Sequence, residues 1–302
     1  MHRSVPMTLR RFAPSVAAAP SRARGLCSGK TTHFGYKTVP EEEKERLVRH
    51  VFENVASRYD LMNDLMSGGV HRVWKDTLVD MLGVAKLGRA DLQVLDVAGG
   101  TGDIAFRISR ALSESAVASG SSRGADDAAT EPARIVVSDI NDAMLEEGRR
   151  RATTLPELNA PGAPRLEWVT ADARKLPFDD CSFDMYSIAF GIRNVTVIPE
   201  ALAEARRVLR PGGRFVCLEF SQVTNPFLRS LYEPYSFAVI PKIGELVADD
   251  RASYQYLVES IRKFPNQETF AQMIRDAGFR SVGYTNLTGG IVAIHSGFRL
   301  PD

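Results

Sequence analysis

Residues 93–103 read Gln93-Val94-Leu95-Asp96-Val97-Ala98-Gly99-Gly100-Thr101-Gly102-Asp103. The stretch begins as a short apolar strand (Val94, Leu95, Val97) and stops abruptly at the glycines. A helical pattern follows at once, with Ile104, Ala105, Ile108, Ala111 and Leu112 on one face at 3.6-residue spacing. Strand, glycine turn and helix form the opening unit of a nucleotide-binding α/β sheet. Glycines let the backbone approach a ligand with no Cβ in the way. Amides at the helix start are free to meet an anion or a polar group.

The turn departs from the dinucleotide fingerprint G-x-G-x-x-G, because no third glycine enters the helix. Two acids frame it instead, Asp96 in the strand end and Asp103 just after Gly102. Carboxylates at this place repel a pyrophosphate and suit a ligand with an ammonium or sulfonium charge and hydroxyls. S-adenosylmethionine carries both, whereas a NAD-dependent oxidoreductase on a similar sheet fits these residues less well. A plain tight βα turn is the structural alternative.

Away from the turn, composition narrows the class. The chain has 302 residues, with 44% hydrophobic and 25% charged, which is ordinary globular usage and enough for one large α/β domain. The net charge of +1 implies no nucleic-acid field. No run of about 18 apolar residues exists to span a membrane. Cys27, Cys181 and Cys217 lie far apart with no C-x-x-C pair, so neither a zinc site nor a disulfide framework is expected, and a reducing compartment fits.

Residues 1–40 differ from the rest. Arg3, Arg10, Arg11, Arg22 and Arg24 alternate with Ser, Ala and Pro, and no acid occurs before Glu41. This composition predicts a mitochondrial transit peptide and leader, with cleavage near Cys27; an untargeted basic tail is the alternative. The domain proper is then 41–302. Its first part, 41–82, reads as a helical arm: Leu47, Val48, Val51, Phe52, Val55 and Tyr59 make one apolar stripe, and a second stripe starts at Val70 after Ser67-Gly68-Gly69. Asn63, Asp64, His71 and Arg72 form a dense polar set among them, as expected of an arm over a cofactor mouth.

The later strands are predicted at Ile135–Asp139, Leu166–Val169, Phe183–Ile188, Arg214–Phe220, Val282–Asn286 and Ile291–His295, the last two as an antiparallel edge pair. An acid at the end of the second strand is placed to bind ribose hydroxyls about 20 residues after the glycine turn. Asp139 is too far along the chain unless residues 113–133, rich in Ser, Ala and Gly, are a flexible insertion. The alternative role for Asp139 is to cap the helix at 143–152, which Asn141 or Asp142 could do instead. The fourth strand delivers Ala189-Phe190-Gly191-Ile192-Arg193-Asn194 to the carboxyl edge, where ligands sit in open α/β sheets. Arg193 there is a solvated charge or an active-site group, and its local pattern shows no need of a charge for folding. Residues 226–250 are apolar enough for a core helix or for a lid or membrane-surface face over a greasy pocket.

Several stretches carry a more specific signal: YDLMNDLMSGGVHRVWK, DVAGGTGDIAFR, FGIRNV, RVLRPGG, LEFS, SYQYLVESIRKFPNQETFAQMI and NLTGGIVAIHSGF. In these the chain closely resembles the ubiquinone/menaquinone biosynthesis C-methyltransferase family, from about Phe52 to Gly297. The resemblance implies a class I S-adenosylmethionine-dependent methyltransferase fold, a Rossmann-like seven-stranded, mostly parallel sheet with helices on both faces. It implies cofactor contacts from Asp96, Gly99, Gly100, Thr101 and Gly102, with Asp139 at the ribose and Asp172 and Ala173 at the adenine. Bacterial relatives often have Ser where Ala189 stands, so any contact there must come from backbone. Arg193 and Asn194 would be the catalytic pair. Arginine is a poor base, its pKa exceeding ~12, so Arg193 is expected to stabilise a developing phenolate or orient a water, with Asn194 fixing the ring oxygen. His71, Tyr59 and His295 are alternative proton carriers, each better explained by a structural role.

With a presequence, the resemblance points to the ubiquinone branch, hence to C-methylation of a 2-methoxy-6-polyprenyl-1,4-benzoquinol. The menaquinone branch, or a silent lipid-binding or scaffold subunit, are the alternatives. The partners implied are the polyprenyl benzoquinol, other ubiquinone-biosynthesis proteins in a multi-subunit complex, and the matrix side of the mitochondrial inner membrane as a peripheral protein. A homodimer is a further option, and nucleic acid is not expected.

Overall fold

The computed structural model describes residues 30–55, 63–64, 67–87, 89, 91–118, 133–239, 241–242, 245 and 251–301. The described chain opens with a hairpin of β1 (Thr31–Phe34) and β2 (Lys37–Pro40), followed by α1 (Glu41–Val55) and α2 (Val70–Leu82). Five parallel strands follow, joined by helices except between β5 and β6: β3 (Gln93–Val97), α3 (Asp103–Ala118), β4 (Arg134–Asp139), α4 (Asp142–Thr154), β5 (Arg165–Thr170), β6 (Phe183–Ala189), α5 (Ile198–Val208) and β7 (Leu209–Phe220). A single turn of 3₁₀ helix, Ile192–Asn194, follows β6. The chain finishes with α6 (Pro226–Pro234), α7 (Arg251–Lys263), α8 (Gln267–Asp276), β8 (Arg280–Leu287) and β9 (Val292–Phe298).

The large sheet has seven strands in the order β5-β4-β3-β6-β7-β9-β8. All neighbours are parallel except β9, which runs antiparallel to both β7 and β8. The edge pair expected from sequence is therefore present, with β9 inserted between β7 and β8. Strand order reverses between β3 and β6, and this switch point opens a crevice at the carboxyl ends of those two strands.

The central strands are buried on both faces, as a doubly covered parallel sheet requires. Val94, Ile135 and Val137 join one core with Leu78, Leu82, Ile104 and Ile108 from α2 and α3. Leu95, Val97 and Val136 join the other with Ala201, Leu202 and Ala205 from α5 and Phe270 and Ile274 from α8. Successive residues point to opposite faces of a strand, so each apolar run serves both cores.

Two boundaries differ from those expected. Residues 31–40 are not part of a loose leader: they pair in the register Thr31↔Pro40 to Phe34↔Lys37, and Val39 is buried. Lacking acids, the hairpin reads in sequence like the tail before it. Residues 113–133 are not uniformly an insertion either. The α3 helix runs on to Ala118, with Ser115 Oγ donating to the Ala85 carbonyl, and Ala133 is buried in the first core. Ala and Ser are compatible with a helix, so composition could not locate its end; residues 119–132 lie outside the described residues. Of the segment 226–250, α6 and a π-helical turn at Tyr235–Val239 are described.

Candidate active site

The glycine turn makes the floor of a cavity of about 130 Å³ at the ends of β3, β4 and β6. Ala98 takes a left-handed φ of 51°, which swings the chain out of the strand, and the Gly99 amide donates to the Ser138 carbonyl at 3.1 Å. A Cβ on Gly99 would lie 2.6 Å from Val137 Cγ1 and 2.9 Å from Asp96 Oδ2, so only glycine fits. Gly99, Gly100 and Thr101 line the cavity, as do Asp96, Asp139, Asp172, Ala173 and Ala189. Gly102 does not. Its φ is +83°, and a Cβ there would meet the Trp168 ring at 2.6 Å, so the position is packed closely behind the turn. Thr101 is buried, and its hydroxyl accepts from Arg151 Nη1 at 2.8 Å.

Asp96 is fully buried. Its Oδ1 accepts from Ser187 Oγ at 2.7 Å, while Oδ2 has no hydrogen-bond partner among the described residues. Burial pushes its pKa up to about 7, with the Ser187 hydroxyl only partly offsetting this. A buried carboxylate oxygen with no donor, on the wall of a cavity, is an invitation to a cationic or donor-bearing ligand. Asp139 reaches back over the turn: Oδ2 accepts from the Gly100 amide at 3.0 Å and Oδ1 from the Asn141 amide at 2.9 Å. Burial raises its pKa to about 6. The capping alternative for Asp139 falls away, because Asn141 caps α4, its Oδ1 accepting from the amides of Ala143 and Met144.

The second acid of the turn behaves differently. Asp103 Oδ2 lies 2.7 Å from Lys75 Nζ and Oδ1 lies 3.2 Å from Arg107 Nε. Burial opposes its ionisation, but Lys75, Arg107 and Arg151 outweigh it and hold the carboxyl below its usual range. The expected pair of free carboxylates around the turn is thus corrected to Asp96 and Asp139, with Asp103 neutralised by a buried lysine from α2. Asp172 is likewise engaged by Arg174, whose Nη2 lies 2.6 Å from Oδ2, and Arg174 continues to Glu45 of α1 at 3.2 Å. Through Glu45, Val48 and Phe52, α1 closes one side of the cavity.

A second, larger cavity of about 360 Å³ adjoins the first. Its wall is mostly aromatic and aliphatic, including Phe220, Tyr232, Tyr235, Tyr256 and Trp74. Phe52 and Phe190 line both cavities. Phe190 holds a left-handed φ of 56°, so the chain turns sharply at the partition. The 3₁₀ turn that follows splits its residues between the two spaces, with Asn194 on the smaller cavity and Arg193 on the larger.

Arg193 is neither a solvated charge nor a free one. It is buried, and its Nη1 donates to Glu219 Oε1 at 2.9 Å with the two side chains 4% and 1% exposed. Nη1 also donates to the Phe190 carbonyl, and the Arg193 amide donates to Glu219 Oε2 at 3.3 Å. Nε has no hydrogen-bond partner among the described residues, and the guanidinium carbon sits 5.6 Å from the Phe220 ring centre. Burial raises the Glu219 pKa, and Arg193 works against that. The local pattern around Arg193 gives no sign of this need, because the partner, Glu219, comes from β7.

His71 lines the larger cavity and shares Asp64 with Arg72, its Nε2 lying 2.9 Å from Asp64 Oδ1. Burial lowers its pKa to about 4. His295 lines neither cavity. It is buried, bonded to the Gln267 carbonyl at 2.9 Å and packed on Phe270. Tyr59 lies outside the described residues. Sequence reasoning missed Ser187, Lys75, Glu219, Tyr256 and Gly148. The last is packed so closely under Trp168 that a Cβ would come within 2.4 Å of the ring. Only the alternation that points Ser187 toward Asp96 across β3 and β6 was readable in advance.

Comparison with known proteins adds to this geometry. The profile of the ubiE/COQ5 methyltransferase family matches residues 38–299. A Danio rerio relative named mitochondrial 2-methoxy-6-polyprenyl-1,4-benzoquinol methylase is 54% identical over 288 residues, covering 90% of this chain and 85% of its own length. A Dinoroseobacter shibae relative named ubiquinone/menaquinone biosynthesis C-methyltransferase is 57% identical over 271 residues, covering 90% and 98%. Among solved structures, one from Methanococcus maripaludis described as an S-adenosyl-L-methionine-dependent methyltransferase superposes with a TM-score of 0.50 at 16% identity, covering 82% of this chain and 93% of that one. That likeness speaks for the fold alone.

Proposed function

Because the chain belongs to the ubiE/COQ5 methyltransferase family, we propose that it C-methylates a 2-methoxy-6-polyprenyl-1,4-benzoquinol in ubiquinone biosynthesis, using S-adenosylmethionine. The observation that carries this reading is the pair of adjoining cavities, one bearing Asp96, Asp139 and Asp172 at a glycine turn, the other mostly aromatic and aliphatic, divided by Phe52 and Phe190. The acidic cavity fits the cofactor by the donorless Oδ2 of Asp96 and by the cradle that a Cβ on Gly99 would fill. Gly99, Gly100 and Thr101 would hold its amino-acid part, Asp139 the ribose, and Asp172 and Ala173 the adenine. Ala189 would contribute backbone only. When bound, S-adenosylmethionine supplies an electrophilic methyl group.

The chain's own residues then have three tasks. The aromatic wall excludes water and seats the quinol ring and the start of its tail. The dipeptide Arg193-Asn194 spans the partition and aligns the ring with the cofactor side. The ring carbon becomes nucleophilic when the neighbouring ring oxygen loses its proton, and a preoriented guanidinium edge and amide stabilise the charge that develops on that oxygen. Once the carbon is methylated, the proton it carried leaves and the ring regains its aromaticity. Glu219 occupies one terminal nitrogen of Arg193, so the arginine acts as a fixed dipole donor more than as a free cation. Guanidinium groups are poor general bases, so a proton-accepting role is disfavoured here.

Residues 1–29, basic and acid-free, are proposed as a mitochondrial transit segment, in keeping with relatives named mitochondrial. A place on the matrix face of the inner membrane, beside other ubiquinone-biosynthesis proteins and with or without self-association, goes with a polyprenyl substrate. No helix of the described residues is long and apolar enough to cross a membrane. The test is methyl transfer: the protein, labelled S-adenosylmethionine and a short-chain methoxy-benzoquinol, with product detected by mass spectrometry. A labelled ring-methyl product is expected. Cofactor binding with no ring methylation of any quinol would overturn the assignment and leave a binding or scaffold role.

A further inference from the structure

Tyr256, on α7, stands where the two cavities meet. Its ring lines the larger one, and its hydroxyl donates to Asn194 Oδ1, on the smaller one, at 3.0 Å. Tyr256 is buried and Asn194 half-buried, so this hydrogen bond is partly shielded from water. The side-chain amide of Asn194 is planar. Fixing its oxygen therefore fixes the direction in which its Nδ2 group donates.

Tyr256 is itself held from the far end of the chain. Phe34, the last residue of β1, stacks on it with ring centres 4.0 Å apart and planes 13° from parallel. The hairpin that carries Phe34 is anchored on both sides of the hydrogen bond. On the α7 side, the Tyr36 amide donates to Glu259 Oε2 at 3.0 Å, and Gly35, at φ +57°, lies so near this carboxylate that a Cβ would overlap it at 2.2 Å. On the side of the 3₁₀ turn, Thr32 Oγ1 donates to the Thr196 carbonyl at 3.4 Å, and buried Lys44, just after the hairpin, donates to the Val195 carbonyl at 3.1 Å. The hairpin thus ties α7 to the segment that carries Asn194.

We propose that Tyr256 is a positioning residue that orients the Asn194 amide toward the reacting ring, and that the hairpin at residues 31–40 holds it in place through Phe34. This rests on the reading of Asn194 as a group that meets the substrate. A tyrosine kept only for packing would not need its hydroxyl aimed at that one side chain. Nor would it need a stacked partner from a separate element tied to the same turn.

Tyr256→Phe keeps the ring, the stack and the burial and removes only the hydroxyl. Loss of one neutral hydrogen bond corresponds to a fall in kcat of about 3- to 10-fold. KM for a short-chain benzoquinol and the cofactor Kd by calorimetry should stay within about twofold, since neither contact is removed. In an Asn194→Ala background the Tyr256→Phe effect should vanish, because the two changes act through one bond. Phe34→Ala should reproduce the kcat loss with Tm and cofactor Kd monitored, and Phe34→Trp should restore it. If Asn194→Ala leaves kcat unchanged, the catalytic reading of Asn194 is the part that fails. If Asn194→Ala lowers kcat while Tyr256→Phe matches wild type, or if the two losses simply multiply, the positioning role is overturned and the reading of Asn194 stands.

Discussion

Arg193→Ala shows how the structure changes what a mutation should do. Arg193 and Glu219 form an ion pair at 2.9 Å with side chains 4% and 1% exposed, so solvent screens almost nothing. Deleting the arginine leaves a carboxylate in the core whose remaining donors are two backbone amides, those of residues 193 and 220. Breaking one side of a buried pair costs about 3–5 kcal/mol. At ~2–4 °C per kcal/mol for a chain of this size, the melting temperature should fall by roughly 6–20 °C. The sign of the pH dependence follows from Glu219. Burial already raises its folded pKa, and Arg193 is the strongest opposing influence, so the mutant carboxyl rises further. A carboxyl raised on folding is tolerated when protonated and costs stability as pH climbs through its folded pKa. The deficit should therefore be smaller at about pH 5 than at about pH 8. Replacing both partners, Arg193→Met with Glu219→Gln, should recover most of the loss. Thermal and chemical denaturation of wild type, single and double variants at both pH values is the assay. A single mutant melting within about 2 °C of wild type would refute the claim that the pair is structural. Turnover, measured well below the mutant's melting point, should drop by ~10–10²-fold, less than a free arginine would give, because Glu219 and the Phe190 carbonyl already occupy Nη1.

Three other outcomes are expected. The Asp96 carboxyl is raised to about 7 by burial, and a cationic ligand favours its ionised form, so S-adenosylmethionine affinity should weaken as pH falls below about 7, by up to ~tenfold per unit; calorimetry in buffers of different ionisation enthalpy should register the released proton, Asp96→Asn should flatten the profile, and a flat wild-type profile would contradict the coupling. Asp139→Ala should weaken cofactor binding by ~1.5–3 kcal/mol through lost hydrogen bonds to a charged acceptor, and unchanged affinity in a folded mutant would remove Asp139 from the site. Replacing residues 119–132 by a short Gly-Ser link should leave the melting temperature nearly unchanged, whereas removing all of 113–133 should lower it, because the wider cut takes the last turns of α3 and buried Ala133; equal melting temperatures for the two deletions would show the helix end and Ala133 to be dispensable.

The course of the chain through the sheet was legible because its signals are local. Val94 to Val97 alternate apolar side chains to two cores, the glycines admit a turn no other residue can make, and the 3.6-residue spacing after Asp103 demands a helix. Asp139 was placed at the carboxyl edge by the end of its predicted strand, and Asn194 was singled out by the family resemblance. What tertiary structure decided is who neutralises whom. Lys75 reaches Asp103 across 28 positions, Glu219 reaches Arg193 across 26, and Tyr256 reaches Asn194 across 62. None of these pairs shares a helix face or a strand register, so no periodicity announces them. They arise because α2 packs over the glycine turn, because β7 lies beside β6, and because a hairpin that reads like leader sequence folds back onto α7. Charge in a buried site is set by its nearest partners in space, since desolvation makes an unpaired ion cost more than the contacts around it return. A sequence names the ionisable groups of such a site, and the packing of distant elements determines which of them remain free to act.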